Sequence, residues 1–261
     1  MRARFATLVC FSLLATTGAT IALASDTTDG SSPTLSQSIV TAVLMERDRR
    51  SNPDAASHQR FGATGLVRCG NMVGTAQLVL HRDVIVTAAH VLVGQAARTD
   101  CVFMPGMGSG QAIAIDTATI RAGSRSPLSQ AATSDWAVAR LAAPVFASPY
   151  ALAAPGTQPA TVTLCAGGNG SPTHFGTETC AVRRVIKTAP DGIRELAIDC
   201  SGSPGGSGAA LLSGRGTIAG IYVGDRSTNP AEAQPFSETH YNFGITIDGA
   251  FRRALLAEAG R

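Results

Sequence analysis

The stretch VIVTAAH, residues 84–90, is the starting point of the fold prediction, because a β-branched apolar run leads directly into a histidine. Val, Ile and Thr favour strands, and an apolar run of about four to eight residues is typical of a buried strand. A histidine after such a strand is more often structural than catalytic when it stands alone. The rest of the chain decides between these two interpretations.

Many short segments of the same kind follow residue 60, rich in Val, Ile, Thr and Leu and bounded by Gly, Pro, Asn, Asp or Ser. We predict strands at 64–69, 72–80, 84–88, 112–120, 136–141, 161–166, 180–187, 193–200, 217–223 and 241–247. Short strands at this spacing predict an all-β fold, either an antiparallel barrel or a sandwich.

One helix closes the chain. Its predicted range is 249–259, with Asp248 as the capping residue and an apolar face made by Phe251, Leu255 and Leu256. A helix of this kind would pack on the strand-rich body.

The first 24 residues have the features of a secretory signal peptide. A basic start with Arg2 and Arg4 precedes an apolar run at 5–15, and Ala22-Leu23-Ala24 is a small-x-small cleavage pattern. Polar residues interrupt the run before it reaches the roughly 20 residues of a spanning helix. We therefore expect a secreted or periplasmic protein with no membrane contact once the signal is removed.

Residues 25–59 are expected to form a pro-segment or linker ahead of a domain at 60–261. Apolar residues at helical spacing predict a short helix over 36–50, which ends in arginines and is stopped by Asn52-Pro53. Cleavage at the arginines and packing of this helix on the body both remain open.

The charge balance argues against two classes of partner. Only 15% of the residues are charged, and the formal net charge of +3 loses Arg2 and Arg4 with the signal. No basic patch for nucleic acid or for an anionic membrane follows from this composition.

Two further segments give His90 chemical partners. In SDWAVARL, residues 134–141, Asp135 opens a strand, and in PGGSGAAL, residues 204–211, Ser207 lies between glycines. A serine hydroxyl becomes a good nucleophile when a base takes its proton, and histidine titrates near neutrality. A carboxylate behind the imidazole fixes its tautomer, and glycines allow N–H groups to approach a developing oxyanion.

These segments, in the order His, Asp, Ser, resemble the trypsin/chymotrypsin superfamily of serine endopeptidases over about residues 60–259. The similarity is greatest to the exported bacterial branch near the glutamyl endopeptidases, in which an Asp stands eight residues before the serine, as Asp199 does here. The resemblance implies two packed antiparallel β-barrels with a C-terminal helix and a catalytic site at their junction.

The resemblance also implies roles for individual residues. His90 would be the general base, Asp135 its orienting carboxylate and Ser207 the nucleophile, with the N–H groups of Gly205 and Ser207 as the oxyanion hole. Ser201 matches the base of the primary specificity pocket.

The strand that would pair with the substrate backbone follows the nucleophile. Its candidate binding residues are Tyr222, Val223 and Gly224. The expected partner is a polypeptide that adds to this strand and is cleaved through an acyl-enzyme, with no cofactor and no metal, by a monomeric enzyme.

Three departures from the family pattern limit what is carried over. Gly206 replaces the Asp that pairs with a new N-terminus in animal members, so that activation route should be absent. Ser201 is not acidic, which argues against a strict preference for Arg or Lys. Tyr222 replaces the histidine of the glutamyl branch, although Asp225 or His240 could reach the pocket rim.

The cysteines suggest two disulfides. The resemblance implies a Cys69–Cys101 bond across His90, and Cys180 and Cys200 lie at opposite ends of successive predicted strands. Cys165 would then be a buried thiol, and the alternative Cys165–Cys180 bond would leave Cys200 free. Cys10 would leave with the signal peptide.

Two other functions remain to be distinguished. A catalytically silent binding protein with a protease fold is disfavoured because all three residues are present. A serine esterase is disfavoured by the chain order and by Ala209, which breaks the Gly-x-Ser-x-Gly pattern.

Overall fold

A computed structural model describes residues 42–93, 100–168, 174–214 and 216–261. The expected signal peptide, Cys10 and the first part of the predicted 36–50 helix lie outside these residues. None of the helices in the described ranges is long and apolar enough to cross a membrane.

The described chain contains strands throughout, with three α-helices. The strands are β1 (Thr64–Cys69), β2 (Met72–Leu78), β3 (Val84–Thr87), β4 (Cys101–Met104), β5 (Ile113–Ala122), β6 (Ala137–Leu141), β7 (Thr161–Gly167), β8 (Phe175–Thr188), β9 (Arg194–Ile198), β10 (Ala210–Leu212), β11 (Ile218–Ser227) and β12 (His240–Thr246). The helices are α1 (Ala55–Arg60), α2 (Ala89–Leu92) and α3 (Gly249–Ala259), and short 3₁₀ turns cover Pro127–Ser129 and Ala132–Ser134.

The strands close into two antiparallel barrels of six strands each, which confirms the predicted fold. The first has the order β1-β2-β3-β6-β5-β4, and the second has the order β10-β11-β12-β9-β8-β7. Every strand has a paired neighbour on both sides, so neither barrel contains a strand with one edge wholly unpaired.

Apolar side chains form the core of each barrel, and the two cores are in contact. In the first barrel Leu78, Ile85 and Phe103 are fully buried. A Cβ on Gly65 would lie 2.5 Å from the Phe103 ring, so the ring occupies space that only glycine leaves open. Buried side chains from both barrels belong to one continuous cluster, which holds the barrels together.

Most predicted strands are present with shifted ends, and β1 has its predicted bounds. The structure adds β4 and β10, which have four and three residues and are too short to give a pattern of their own. Helix α3 also has its predicted bounds.

The details of α3 differ from the prediction. Asp248 lies at the N-cap position, but its side chain makes no capping hydrogen bond and instead accepts from Gly156 N and Arg194. Phe251 and Leu255 are buried, whereas Leu256 is half exposed. The helix packs against the first barrel, where Phe251 stacks on Trp136 at 5.0 Å between ring centroids.

Residues 42–50, which we call the N-terminal strap, correct the predicted 36–50 helix. In this described part the chain is extended rather than helical, and Met45 forms a bridge with Gln234. Val43 and Met45 are buried while Leu44 is exposed, a period of two that suits an extended chain. Backbone hydrogen bonds to the second barrel replace the internal bonds of a helix.

Both expected disulfides are present, Cys69–Cys101 and Cys180–Cys200. Cys69 and Cys101 are register partners on the paired strands β1 and β4. Cys165 is a buried free thiol. The alternative Cys165–Cys180 bond is therefore not formed.

Candidate active site

His90 and Asp135 lie side by side because of the pairing of β3 with β6. Thr87 is opposite Ala137 in this antiparallel ladder, so the chain leaving β3 and the chain entering β6 meet at the same end. His90 follows in α2, and Asp135 follows the 3₁₀ turn Ala132–Ser134. The sequence thus places both residues at one edge of the first barrel.

The Asp135 carboxylate holds His90 at two points. Oδ2 lies 2.7 Å from His90 Nδ1, and Oδ1 accepts a hydrogen bond from His90 N at 2.9 Å. Both residues are buried. Because a carboxylate only accepts, Nδ1 carries the hydrogen and Nε2 keeps a free lone pair. This is the tautomer in which the imidazole can accept a proton.

Ser207 lies in a glycine-rich turn that leads to β10. Gly205 and Gly208 have φ angles of +100° and +89°, a region that L-residues rarely adopt. A Cβ on Gly208 would lie 2.1 Å from Thr75 O, so no other residue fits there. These two glycines give the turn its shape.

The turn leaves two backbone donors unused. Gly206 N donates to Ser203 O, whereas no hydrogen bond among the described residues uses the N–H of Gly205 or Ser207. Paired free N–H groups beside a hydroxyl are the arrangement that stabilises an oxyanion.

The Ser207 hydroxyl donates to Val223 O at 3.4 Å, and within the described ranges no hydrogen bond joins it to His90. Ser207 and Val91, the residue after His90, nevertheless flank one glycine. A Cβ on Gly74 would lie 2.6 Å from Val91, the neighbour of His90, and 3.1 Å from Ser207 O. Hydrogen bonds in unliganded catalytic sites are commonly long and shorten when substrate binds.

Strand β2 of the first barrel binds the backbone of the Ser207 turn. Thr75 N donates to Ser207 O at 2.8 Å, and the Thr75 hydroxyl donates to Gly205 O at 2.8 Å. The same hydroxyl accepts from Gly167 N at 3.0 Å, and Gln77 Nε2 donates to Gly208 O at 3.1 Å. The first barrel therefore fixes the turn carried by the second.

The sequence analysis did not identify Thr75 or Gln77. The sequence feature that could have identified them is their spacing. They are two polar residues two positions apart in the predicted strand at 72–80, and therefore lie on the same face of it. Both side chains point to the buried interface, where Thr64 Oγ1 donates to Gln77 Oε1 at 2.7 Å.

Ser201 is buried and already bonded. Its Oγ accepts from Met45 N of the strap at 3.1 Å, and its N donates to Glu178 Oε2 at 2.8 Å. Arg49 pairs with the other Glu178 oxygen at 3.0 Å. Burial raises the pKa of Glu178, and the hydrogen bonds from Ser201 N and Arg49 oppose this rise.

Tyr222, Val223 and Gly224 lie together on β11. Strand β10 is paired with β11 only as far as Ile221, so the strand continues past the end of its partner. Val223 O receives the Ser207 hydroxyl, which places this part of β11 beside the candidate nucleophile.

One rim candidate, His240, and the family marker Asp199 have structural partners. His240 is buried, with Nδ1 2.9 Å from Ser227 Oγ and Nε2 3.1 Å from Leu44 O. Asp199 Oδ1 accepts from Ala181 N at 2.7 Å. His240 supports the strap rather than a pocket rim.

Side chains that could bind a metal ion are not clustered among the described residues. Within the described ranges, no three His, Cys, Asp or Glu side chains are grouped as metal ligands.

One protein family and several solved structures are similar to this chain. A family model described as a trypsin-like peptidase domain matches residues 74–221. No curated protein sequence matches the chain.

Solved structures with the same fold are distant in sequence. A Glu endopeptidase in complex with MPD is 14% identical with a TM-score of 0.67, covering 84% of this chain and 100% of that one. The thermostable serine protease AL20 from an extremophilic microorganism is 13% identical with a TM-score of 0.57, covering 77% and 98%. The active form of the Rv3671c protease from M. tuberculosis is 17% identical with a TM-score of 0.52, covering 85% and 92%.

Proposed function

This chain belongs to the trypsin-like peptidase family of serine endopeptidases, and we propose that Ser207 is its nucleophile, His90 its general base and Asp135 the residue that orients His90. The observation that carries this assignment is the pair of hydrogen bonds that His90 donates to Asp135 from its N and Nδ1 atoms, which leaves Nε2 as an acceptor. The N–H groups of Gly205 and Ser207, which no hydrogen bond among the described residues uses, support it because they can donate to an oxyanion.

The reaction follows from these positions. Ser207 Oγ attacks the carbonyl carbon of the peptide bond while its proton moves to His90 Nε2, and the carbonyl oxygen becomes an oxyanion facing Gly205 N and Ser207 N. Collapse of this intermediate breaks the C–N bond, and His90 gives its proton to the leaving amine. Water then attacks the acyl-enzyme by the same steps and releases the carboxylic acid.

The substrate backbone would bind along β11 beyond its pairing with β10. There Val223 and Gly224 offer main-chain groups to an extended peptide, which adds as a further strand. Strand addition explains how a peptide is held without a dedicated charged site for its backbone.

Export of the protein is part of the proposal. Residues 1–24 would be removed as a signal peptide, and the two disulfides suit an oxidising compartment outside the cytosol. Residues 25–59 would precede the catalytic domain at 60–261, and the strap within them stays bonded to the second barrel.

Proteolysis is tested with unfolded casein as substrate and Ser207→Ala as the control. We expect the wild-type chain to release casein fragments and the variant to release none. Hydrolysis of p-nitrophenyl acetate without peptide cleavage would indicate an esterase. A folded wild-type chain that hydrolyses neither would indicate a binding protein.

A further inference from the structure

We infer that Tyr222 closes the base of the pocket for the residue on the acyl side of the cleaved bond, so that the enzyme cleaves after small uncharged residues such as alanine. This inference rests on the proposed role of Ser207 as the nucleophile. It assigns a substrate class that family membership leaves open.

The position of the pocket follows from the reacting atoms. The carbonyl carbon must lie at Ser207 Oγ with its oxygen toward Gly205 N and Ser207 N. The side chain next to that carbonyl then enters the space between two walls. One wall is the segment 201–206, which leads into the turn, and the other is β11 at Val223, whose carbonyl receives the Ser207 hydroxyl.

The Tyr222 ring occupies the depth of this space. A Cβ on Gly206 would lie 3.5 Å from Tyr222 Cε1, and a Cβ on Gly202 would lie 2.5 Å from the Tyr222 hydroxyl oxygen. The ring thus spans the wall from beside the nucleophile to Gly202. Any residue larger than glycine at 202 would collide with it.

Asn242 fixes the ring in place. The Tyr222 hydroxyl donates to Asn242 Oδ1 at 2.9 Å, and Val43 N donates to the same oxygen at 3.2 Å. Asn242 Nδ2 donates to Val43 O and to Cys200 O, both at 2.7 Å. All four hydrogen-bonding positions of the amide are therefore used, and burial keeps the Tyr222 hydroxyl protonated by raising its pKa.

Charged side chains that contact Ser201 and Ser203 already have partners. Glu178 pairs with Arg49 behind Ser201. The Arg50 guanidinium donates to Ser203 Oγ and forms two hydrogen bonds with the Asp48 carboxylate, at 2.9 and 2.7 Å. An acidic substrate side chain would have to displace Asp48, and a basic one would find no free carboxylate among these residues.

The test compares cleavage of succinyl-Ala-Ala-Pro-X p-nitroanilides in which X is Ala, Leu, Phe, Glu or Arg. Enzyme concentrations are set by titration with a fluorophosphonate. We expect kcat/KM to be highest for Ala and about 10-fold or more lower for each larger residue. In Tyr222→Ala, kcat/KM for Phe should rise about 10-fold or more relative to that for Ala, because the ring no longer fills the pocket.

Two control variants separate the ring from other effects. Tyr222→Phe keeps the ring and should keep the wild-type preference. Tyr241→Ala truncates another buried tyrosine on the adjacent strand and should also keep it.

Several results would overturn the inference. A wild-type enzyme that cleaves after Phe, Glu or Arg as well as after Ala contradicts it, and a preference for Glu would point to Arg50. An unchanged preference in a folded Tyr222→Ala variant also contradicts it. If that variant does not fold, the wild-type profile decides. If the folded wild type binds no fluorophosphonate, the proposed nucleophile fails first, and this inference falls with it.

Discussion

Thr75 in the first barrel binds Ser207 in the second, with the N–H of Thr75 donating to the Ser207 carbonyl oxygen at 2.8 Å. The Thr75 hydroxyl adds a bond to Gly205 O and accepts one from Gly167 N. A single residue thus connects the candidate nucleophile and the candidate oxyanion donors to the opposite barrel. The alignment of the site depends on the packing of the two barrels.

Replacing Thr75 by Val keeps the shape and the backbone N–H but removes the hydroxyl. We expect kcat to fall about 10-fold with a small change in KM, because Gly205 O and Gly167 N lose their partner and the turn is less fixed. Steady-state kinetics on a peptide p-nitroanilide, normalised to titrated active sites, measure this effect.

Thr163→Val is the matched control, since Thr163 pairs with Thr179 on the second barrel away from the turn. It should keep the wild-type kcat. Equal losses in the two variants would show that the Thr75 hydroxyl has no special role.

Replacing Asp135 by Asn keeps the size of the side chain but removes the charge that sets the His90 tautomer. We expect kcat to fall about 10⁴-fold, because an amide N–H facing Nδ1 favours the tautomer that cannot accept the serine proton. Asp116→Asn, in an exposed part of β5, is the control and should leave kcat unchanged. Activity within tenfold of wild type in Asp135→Asn would contradict the assigned role.

Loss of either disulfide should lower the free energy of unfolding. The bonds close loops with sequence separations of 32 and 20 residues, so chain entropy predicts a loss of about 3–4 kcal/mol for each pair changed to serine. Urea unfolding of the Cys69/Cys101 and Cys180/Cys200 double variants measures it. Unchanged midpoints would show that these bonds do not constrain the unfolded chain.

Cys165 should be unreactive in the folded protein. It is fully buried, and burial raises the pKa of its thiol far above the usual range. In a chain lacking residues 1–24, we expect Ellman's reagent to detect no thiol before unfolding and one thiol after unfolding without reductant. Rapid reaction of the folded chain would show that Cys165 is accessible to solvent, which would contradict its burial.

The Asp248 carboxylate should stabilise the fold at neutral pH and lose this effect in acid. Burial alone would raise its pKa, but hydrogen bonds from Gly156 N and Arg194 outweigh burial and hold the pKa below its usual value. The unfolded state then binds more protons, so the contribution is present above the unfolded pKa and disappears as pH falls through the folded one.

We expect Asp248→Asn to be about 1–2 kcal/mol less stable than wild type at neutral pH, with the difference shrinking below about pH 4. Chemical denaturation across this pH range measures it, with the exposed Glu232→Gln as control. A difference that stays constant with pH would mean that the carboxylate charge is not involved.

The local sequence pattern was sufficient to predict those strands and helices whose composition or periodicity is typical of the element. Strand β1 has its predicted bounds because its Thr, Leu and Val residues end at Gly70-Asn71, and helix α3 has its predicted bounds because the apolar residues Phe251 and Leu255 lie four positions apart. The helix prediction for the strap was wrong because the conformation of this segment depends on distant residues. Its apolar residues fit a helix, but its backbone groups bond to Asn242 and Ser201, partners 199 and 156 residues away that no local pattern reveals.

The candidate catalytic residues could be predicted because each lies in a segment with a recognisable composition. The residues that fix them could not. Thr75 and Gln77 look like ordinary strand residues until barrel packing brings them to the Ser207 turn. Likewise, Tyr222 gained its proposed role as a pocket base only from its contacts with Gly202 and Asn242.

The central claim is that Ser207 is a nucleophile activated by His90, and labelling with a fluorophosphonate tests it most directly. The adduct is mapped by mass spectrometry in the wild type, Ser207→Ala and His90→Ala. We predict one adduct per folded wild-type chain, on Ser207, with none in Ser207→Ala and much slower labelling in His90→Ala. A folded wild-type chain with Ser207 unlabelled, or labelled equally fast without His90, would contradict the account.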